Sequence, residues 1–528
     1  MSWDGATVIE IQGGREGTWG VRNSNLVPIG GLLRLRNATL EDGTWRTGGG
    51  AAQLGDPVDA ALTLQRAIDY FPVIGTQRTL VYASDGSLRK ADNLATTWTS
   101  LHTGLSAAGI PAWAIGGQES AGRNRKAFFA NRVDAPRVLA ADGVTTAALA
   151  TPNADWSGSN QPGFFFAHDN GRMVSGGNAN APHTAYFSLA SDHEDFGTTP
   201  LRFLLGPYRN ERRVVGGLAY KGLAILGKEP EGMYAIDTRD ASTANWLVAR
   251  VSNAGLAGPH AIAAVEDDIV WIDPEGGWHL ISASDALGSV KASELTYRKL
   301  GTFARDEMNL ARAPYWDLIY YSHKLEVQLG FSSIGQTAKD RRLHLDLNHR
   351  ADLGERWVTW DRDRNECLFT HEKDSIQIPA MGDNVGQLWE LDQVTRSQDG
   401  SAYTFEWQMR DTDFSTLIPG WAGRLKNGAF LQLEYDARDT ATHTIEVIQD
   451  GVVTQTINFT LSAGAAALPL VLPFTLGVEF LQTTVQYPLY GQFTRLALRG
   501  YTTTLADISI SRILIGAKLA SLGGRRAA

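Results

Sequence analysis

Hydrophobic and polar positions along this chain fall into short runs broken by turns. Residues 164–196 show the pattern best. Phe164-Phe165-Phe166-Ala167 is an apolar run of strand type, and Asp169-Asn170-Gly171 follows as a tight-turn signal, because Asn and Gly accept positive φ. Arg172-Met173-Val174-Ser175 returns, Gly176-Gly177-Asn178 turns again, and Ala185-Tyr186-Phe187-Ser188 makes a third strand. Similar strand–turn–strand units recur. Leu80-Val81-Tyr82-Ala83 turns at Asp85-Gly86 into Ser87-Leu88-Arg89-Lys90, and Phe128-Phe129-Ala130 leads to Arg137-Val138-Leu139 and Asp142-Gly143. Leu223–Leu226 turns near Glu231-Gly232 into Met233–Ile236, and Ile269–Ile272 turns at Pro274–Gly277 into Trp278–Ile281. Leu318–Tyr321, Trp357–Trp360 and Gly386–Leu391 continue the series. The spacing is irregular, so no strict repeat is present, but hairpins at roughly 40–60 residues per unit predict a β-propeller of about six blades. Stacked β-sandwiches are the competing arrangement.

Past a polar, turn-prone stretch at 392–401 the alternation becomes cleaner. Leu431, Leu433 and Tyr435, then Ile457, Phe459 and Leu461, then Leu496 and Leu498, then Ile508 and Ile510 each alternate with other residues, mostly polar. Asp450-Gly451 reads as a two-residue hairpin. One face in and one face out predicts an antiparallel β-sandwich. The expected organisation is an amino-terminal arm or docking segment at 1–45, a propeller at 46–400, a sandwich at 401–518 and a disordered tail at 519–528. Within the arm, Ile29–Leu40 reads as an edge or docking strand and 37–50 as a turn-rich connector anchored by Trp45. Asp59 to Phe71 is ambiguous between helix and strand, and strand is expected from Arg66 onward.

Composition fits an all-β chain. Of 528 residues, 55 are Gly and 15 are Trp, and 43% are hydrophobic. The single cysteine, Cys367, excludes an internal disulfide framework and suits a reducing assembly environment. A net charge of −9 argues against DNA binding over the whole surface. Residues 1–20 carry Asp4, Glu10 and Glu16 without an apolar core, so they do not read as a signal peptide, and no apolar run is long enough for a membrane helix. The most apolar stretch, 463–474, holds two prolines and reads as loop and strand.

No residue pattern defines a catalytic centre, cofactor or metal. His344, Asp346 and His349 alternate as on a strand face and name no further ligand. Asp192, His193, Glu194 and Asp195 are an acidic loop, for which a solvated turn is the default over paired catalytic carboxylates. Asp361 and Asp363 flank Arg362 and Arg364 as a surface cluster, and Cys367 lacks a visible histidine partner. There is no GxSxG, no P-loop and no GxGxxG before a helix. Asp92–Leu101 resembles one copy of the aspartate box, a structural turn of sialidase-like propellers. Two basic clusters, Arg123, Arg125 and Lys126, and Arg209, Arg212 and Arg213, are candidates to face a DNA channel or a subunit interface.

Residues 164–196 also resemble a segment of β-propeller tail proteins of short-tailed bacteriophages. Arg172, Gly176, Gly177, Pro182, Tyr186, Ser188, Asp192 and Phe196 match its structural pattern. Residues 128–143 are similar to that family's preceding blade, and Pro488–Gly491 with the Arg495/Arg499 strand looks like its terminal domain. Residues 37–50 resemble its leading region, with Arg46-Thr47-Gly48 where Arg-Pro-Gly usually stands. The resemblance implies a non-enzymatic virion structural protein: a tail nozzle or hub ring, typically of six copies, assembled in the host cytoplasm. Such a ring attaches to the adaptor below the portal, extends the DNA channel, retains packaged DNA, supports fibres or spikes and serves genome ejection. It contacts DNA without reading sequence. The alternatives are a receptor-binding or distal-tail protein, for which Trp407 and Trp421 are the aromatics to watch, and a propeller glycosidase acting on host surface polysaccharide.

Overall fold

The computed structural model describes residues 6–12, 31–41, 44–73, 76–92, 97–116, 125–190, 192–198, 201–206, 212–266, 268–283, 290–295, 299–347, 356–361, 366–393, 395–398, 400–461 and 483–520. The protein is all-β, and its larger part is a β-propeller. Five isolated four-stranded antiparallel sheets follow one another at residues 64–102, 112–148, 164–204, 213–254 and 262–294, here units 1 to 5. Residues 317–361 form a sixth four-stranded unit that continues into a larger sheet. Residues 367–393 supply three strands of a seventh, and Gly50–Gln53 adds the fourth by pairing antiparallel with Leu388–Gln393. The inner strands pack in a closed circle, with the first strand of unit 7 (Cys367–Lys373) against that of unit 1 (Leu64–Val73). Among the described residues the ring therefore has seven units. The expected figure of about six is refined by the unit whose last strand lies far upstream and is invisible to a count along the chain.

The alternating runs become strands because the inner strands of a unit are buried, and the outer strand faces water in units such as the fourth. In unit 4 the second strand, Leu223–Glu229, is buried almost throughout, whereas the outer strand, Leu247–Ala254, is largely exposed. Neighbouring units meet through aromatic side chains. Phe128 of unit 2 stands 5.7 Å from Phe165 of unit 3, and Phe187 of unit 3 stands 5.3 Å from Trp246 of unit 4 in an edge-on contact. Of the ambiguous stretch from Asp59, residues 59–63 form a turn and the strand Leu64–Val73 begins two residues before the expected Arg66.

The other lobe draws its strands from both ends of the described chain. Its first sheet pairs Ile508–Leu519 with Lys426–Ala437 on one edge, and with Thr7–Gln12 and Thr44–Thr47 on the other. Its second sheet runs Leu32–Arg36, Phe405–Met409, Leu496–Thr502, Ala441–Gln449 and Val452–Leu461. Ile11, Leu35, Trp45, Trp407, Leu433, Ile445, Leu498 and Ile513 belong to one shared apolar core.

Four expectations change here. Residues 1–45 do not stand apart as an arm where described: Thr7–Gln12 pairs along its whole length with Arg512–Ala517. Leu32–Arg36 is not an edge strand, since it lies between Arg356–Asp361 of unit 6 and Phe405–Met409. Its alternate arginines find partners, with Arg34 3.2 Å from Glu406 and Arg36 2.9 Å from Asp361. The connector at 37–50 contains a hairpin, Ala38–Glu41 with Thr44–Thr47, because Trp45 is wholly buried 5.7 Å from Trp407. The apolar stretch 463–474 lies outside the described residues; of the tail expected at 519–528, Leu519 instead ends a strand and pairs with Lys426, while 521–528 lie outside the described residues.

Candidate functional site at the axial mouth

The two basic clusters are not brought together. Lys126 opens the second strand of unit 2, whereas Arg213 opens the first strand of unit 4. Successive strands of a unit run antiparallel, so these positions lie on opposite rims of the ring. Lys126 pairs with Glu194 at 2.6 Å, and the carbonyl of the exposed Arg125 accepts from the Tyr70 hydroxyl at 2.6 Å. On the other rim Arg212 and Arg213 sit among further cations. Burial, then Arg213, lowers the Arg132 guanidinium to about 10. Burial, then Arg212, lowers the Lys228 ammonium, which donates to the Leu205 carbonyl at 3.0 Å. Arg123 and Arg209 lie outside the described residues.

The eight residues of the 164–196 pattern are structural in unit 3. Arg172 donates from Nη1 to the Ser188 carbonyl at 2.6 Å, while Ser188 Oγ accepts from the Met173 amide at 2.8 Å. Gly177 sits at φ +80, and a Cβ there would meet the Val214 carbonyl oxygen at 2.5 Å. At Gly176 a Cβ would stand 2.9 Å from the Thr184 carbonyl oxygen, and Pro182 accepts from the Val214 amide at 2.7 Å. The Tyr186 hydroxyl donates to Asp155 at 2.8 Å, and Phe196 packs 4.9 Å from Trp156. Asp192 accepts from the Glu194 amide at 3.1 Å, an Asx turn.

The chemistry candidates disperse in the same way. Asp195 accepts from the amides of Gly197 and Thr198, which holds its carboxyl low against the effect of burial. His344 lies 3.4 Å from Glu326, Asp346 pairs with Arg356, and His349 is outside the described residues. Among the described residues no group of three or more metal-ligating side chains converges. Cys367 is buried in the inner strand of unit 7, and burial pushes its thiol up to about 12. In the aspartate-box stretch, residues 93–96 are not described; Asp92 pairs with Arg78 and Lys90, and Trp98 donates to the Asp56 carbonyl at 2.9 Å. Asp361 pairs with Arg36 and Arg341, while 362–365 are not described. Trp407 and Trp421 are both core residues of the lobe, 0% and 4% exposed.

A buried polar group lies where inner strands begin, at one mouth of the ring axis. Asp317, 2% exposed, heads the inner strand of unit 6. Its Oδ1 accepts from Arg66 Nη1 of unit 1 at 2.8 Å. Its Oδ2 accepts from Lys339 Nζ at 2.5 Å and from the Leu368 amide of unit 7 at 3.0 Å. One carboxylate thus ties together three units. Burial works to raise the Asp317 carboxyl, but Lys339 and Arg66 outweigh it and hold it below the usual carboxylate range. Nearby Glu366 moves the other way, pushed up chiefly by burial. Burial, then Arg66, lowers His260 to about 3, so its ring is neutral. Its Nε2 lies 2.8 Å from the Pro111 carbonyl, which only accepts, so Nε2 carries the proton. The Arg312 guanidinium stacks over the Tyr315 ring at 3.8 Å.

Asp317, Lys339, Glu366, His260, Arg312 and Tyr315 line a cavity of about 80 Å³. Across His260 it adjoins the axial channel, about 400 Å³, walled by Ile68, Ala112, Phe164, Phe166 and Leu318. Sequence reasoning missed Asp317, Lys339, His260, Arg312 and Glu366. The available signal was positional: a charged residue at the head of an apolar strand, as in Trp316-Asp317-Leu318-Ile319.

No family model and no curated protein sequence matches the chain. Solved structures similar to it are β-propellers and other proteins at low identity. The β-propeller domain of Myceliophteria thermophila Cps50 (Swd1) aligns at 8% identity and TM-score 0.37, over 65% of this chain and 99% of that one. YCF48 from Cyanidioschyzon merolae aligns at 9% identity and TM-score 0.41, over 65% and 98%.

Proposed function

We propose that this chain is a virion structural protein, a nozzle or hub subunit of a short phage tail, in which a propeller and a β-sandwich lobe form one scaffold. The observation that carries the reading is the interlock of the two lobes. Gly50–Gln53 closes the ring, and the strands just before it are built into the carboxy-terminal lobe. A body fixed in that way suits a ring of copies, for which six is the expected number, seated on an adaptor below a portal. Its interface between copies is heterologous and must close. DNA passes between copies and not along the propeller axis, because a channel of about 400 Å³ is the size of a small-molecule site. Arg125 and Lys126, or Arg212 and Arg213, then face the conduit or a neighbouring copy, one rim each. The test is to label the protein with a specific antibody on purified particles and locate it by electron microscopy. Label on the short tail below the portal is expected, and absence from all particles overturns the reading.

A second reading, a glycosidase at the axis, is favoured by one observation: Asp317 and Glu366 share a mouth and are pushed in opposite directions. Against it, both Asp317 oxygens are already occupied by Arg66, Lys339 and the Leu368 amide. Release of reducing sugar from host polysaccharide, lost in Glu366→Gln, would favour the enzyme. The receptor-binding reading loses its two aromatic candidates, since Trp407 and Trp421 are core.

A further inference from the structure

We propose that Arg132 of unit 2 and Arg213 of unit 4 hold a phosphate group between them, the terminal dianion of a small molecule. The inference does not rest on the tail reading.

The two guanidiniums are neighbours without counter-ions. Among the described residues neither side chain makes a hydrogen bond or an ion pair. Both side chains are half-buried, with Nε enclosed, so the terminal nitrogens are what each presents to solvent. Their approach is built into unit 3. A Cβ on Gly163 would stand 2.9 Å from Nε and Nη2 of Arg132. A Cβ on Gly177 would stand 3.7 Å from the same Nη2 and 2.5 Å from the carbonyl oxygen of Val214, the residue after Arg213. Two glycines thus leave the path along which Arg132 crosses unit 3 toward unit 4. Like charges brought together oppose each other, and Arg213 accordingly helps to lower the Arg132 guanidinium. Glu229, opposite Arg213 in the ladder, tempers the field without pairing with either.

The backbone adds a second sign. Arg132 takes φ +70, a left-handed conformation that suits glycine better than arginine. Its amide donates to the Pro162 carbonyl at 3.1 Å, and Asn131 Oδ1 accepts from the amides of Val133 and Asp134 at 3.1 and 2.8 Å, so the turn is fixed. Strain and unpaired charge at one residue are what a bound anion would offset.

Geometry narrows the class. Two planar forks arriving from different units suit a tetrahedral phosphoryl group, whose three terminal oxygens can serve both. A carboxylate offers two oxygens in one plane and fills one fork. The buried Lys228 on the same rim adds positive charge and favours a dianion. A single half-buried pair is not the track of exposed cations that follows a nucleic-acid backbone.

The experiment is calorimetric titration of the full chain at neutral pH and low salt with inorganic phosphate, acetate and an oligonucleotide that lacks a terminal phosphate. Saturable binding of phosphate is expected, with acetate about tenfold weaker or worse. Arg132→Gly removes the fork and relieves the left-handed backbone, so it should keep its melting temperature and weaken phosphate about tenfold or more. Arg213→Gln should weaken phosphate to a similar degree, and Lys126→Ala, on the opposite rim, should change nothing. Silence from phosphate, acetate bound as tightly, an oligonucleotide bound more tightly than phosphate through the same arginines, or a folded Arg132→Gly or Arg213→Gln that binds as before would each overturn the proposal.

Discussion

The ring and the carboxy-terminal lobe solve the same problem with opposite materials. At the axis of the ring, units 1, 6 and 7 are tied by a buried charge, Asp317 between Arg66 and Lys339. At the centre of the lobe, two sheets meet over Trp45, Trp407 and a stripe of Leu and Ile. A buried histidine in that core, His443, is paired at both ring nitrogens. Trp407 Nε1 can only donate, so His443 Nε2 accepts at 3.1 Å and Nδ1–H donates to Thr502 Oγ1 at 2.7 Å. An apolar centre can lose a side chain and collapse in part. A charged centre stripped of one partner is left with uncompensated ions.

The comparison can be broken most directly in the lobe. Trp407→Ala should cost about 3–5 kcal/mol, read as a shift in denaturant midpoint. Asp317→Asn should cost a similar amount, about 3–5 kcal/mol, by stranding Lys339 and Arg66. The two differ in rescue. Adding Lys339→Met to Asp317→Asn should restore part of the loss, whereas no single charge change should rescue Trp407→Ala. A double variant no better than Asp317→Asn would show that the cluster is not a balance of charges.

Acid sharpens the contrast. His443 is depressed to about 3 when folded, against an ordinary value of ~6.5. Its stabilisation is therefore complete above ~6.5 and is lost as pH falls toward about 3. Glu366 has the opposite sign. Its raised carboxyl favours the folded state in acid, and that advantage fades as pH rises through its folded value. Glu366→Gln should raise the melting temperature at neutral pH more than at pH ~4, and an equal shift at both would refute the assignment. Lys126→Ala is expected to have the smallest effect. Its pair with Glu194 is partly exposed, and its loss should cost about 0–1 kcal/mol in a melting experiment.

Legibility in the sequence divides along the same line. The ring was readable because its contacts are local: Leu223–Leu226 turns back through a few residues onto Met233–Ile236, and turn chemistry marks the place. The carboxy-terminal strands were readable from the alternation around Leu431 and Ile457. What was not readable is pairing across the chain. Nothing in Leu32–Arg36 says that its neighbours are Arg356–Asp361 and Phe405–Met409, so it passed for an edge. The axial mouth was hidden for the same reason. His260, Asp317, Lys339 and Glu366 are scattered over the sequence and meet at one cavity, where Arg66 reaches Asp317 from unit 1. Single charges at strand starts do not announce such a meeting, whereas the more conspicuous clusters at 192–195 and 361–364 yielded turns and surface ion pairs where described.

The strand Gly50–Gln53 also sets a schedule. It leaves the ribosome early, yet its partner, Leu388–Gln393, is made hundreds of residues later. At ~5–20 residues per second the wait is roughly tens of seconds. During it the first six units are added one by one to an open arc, and Gly50–Gln53 has no ladder partner until Leu388–Gln393 is made.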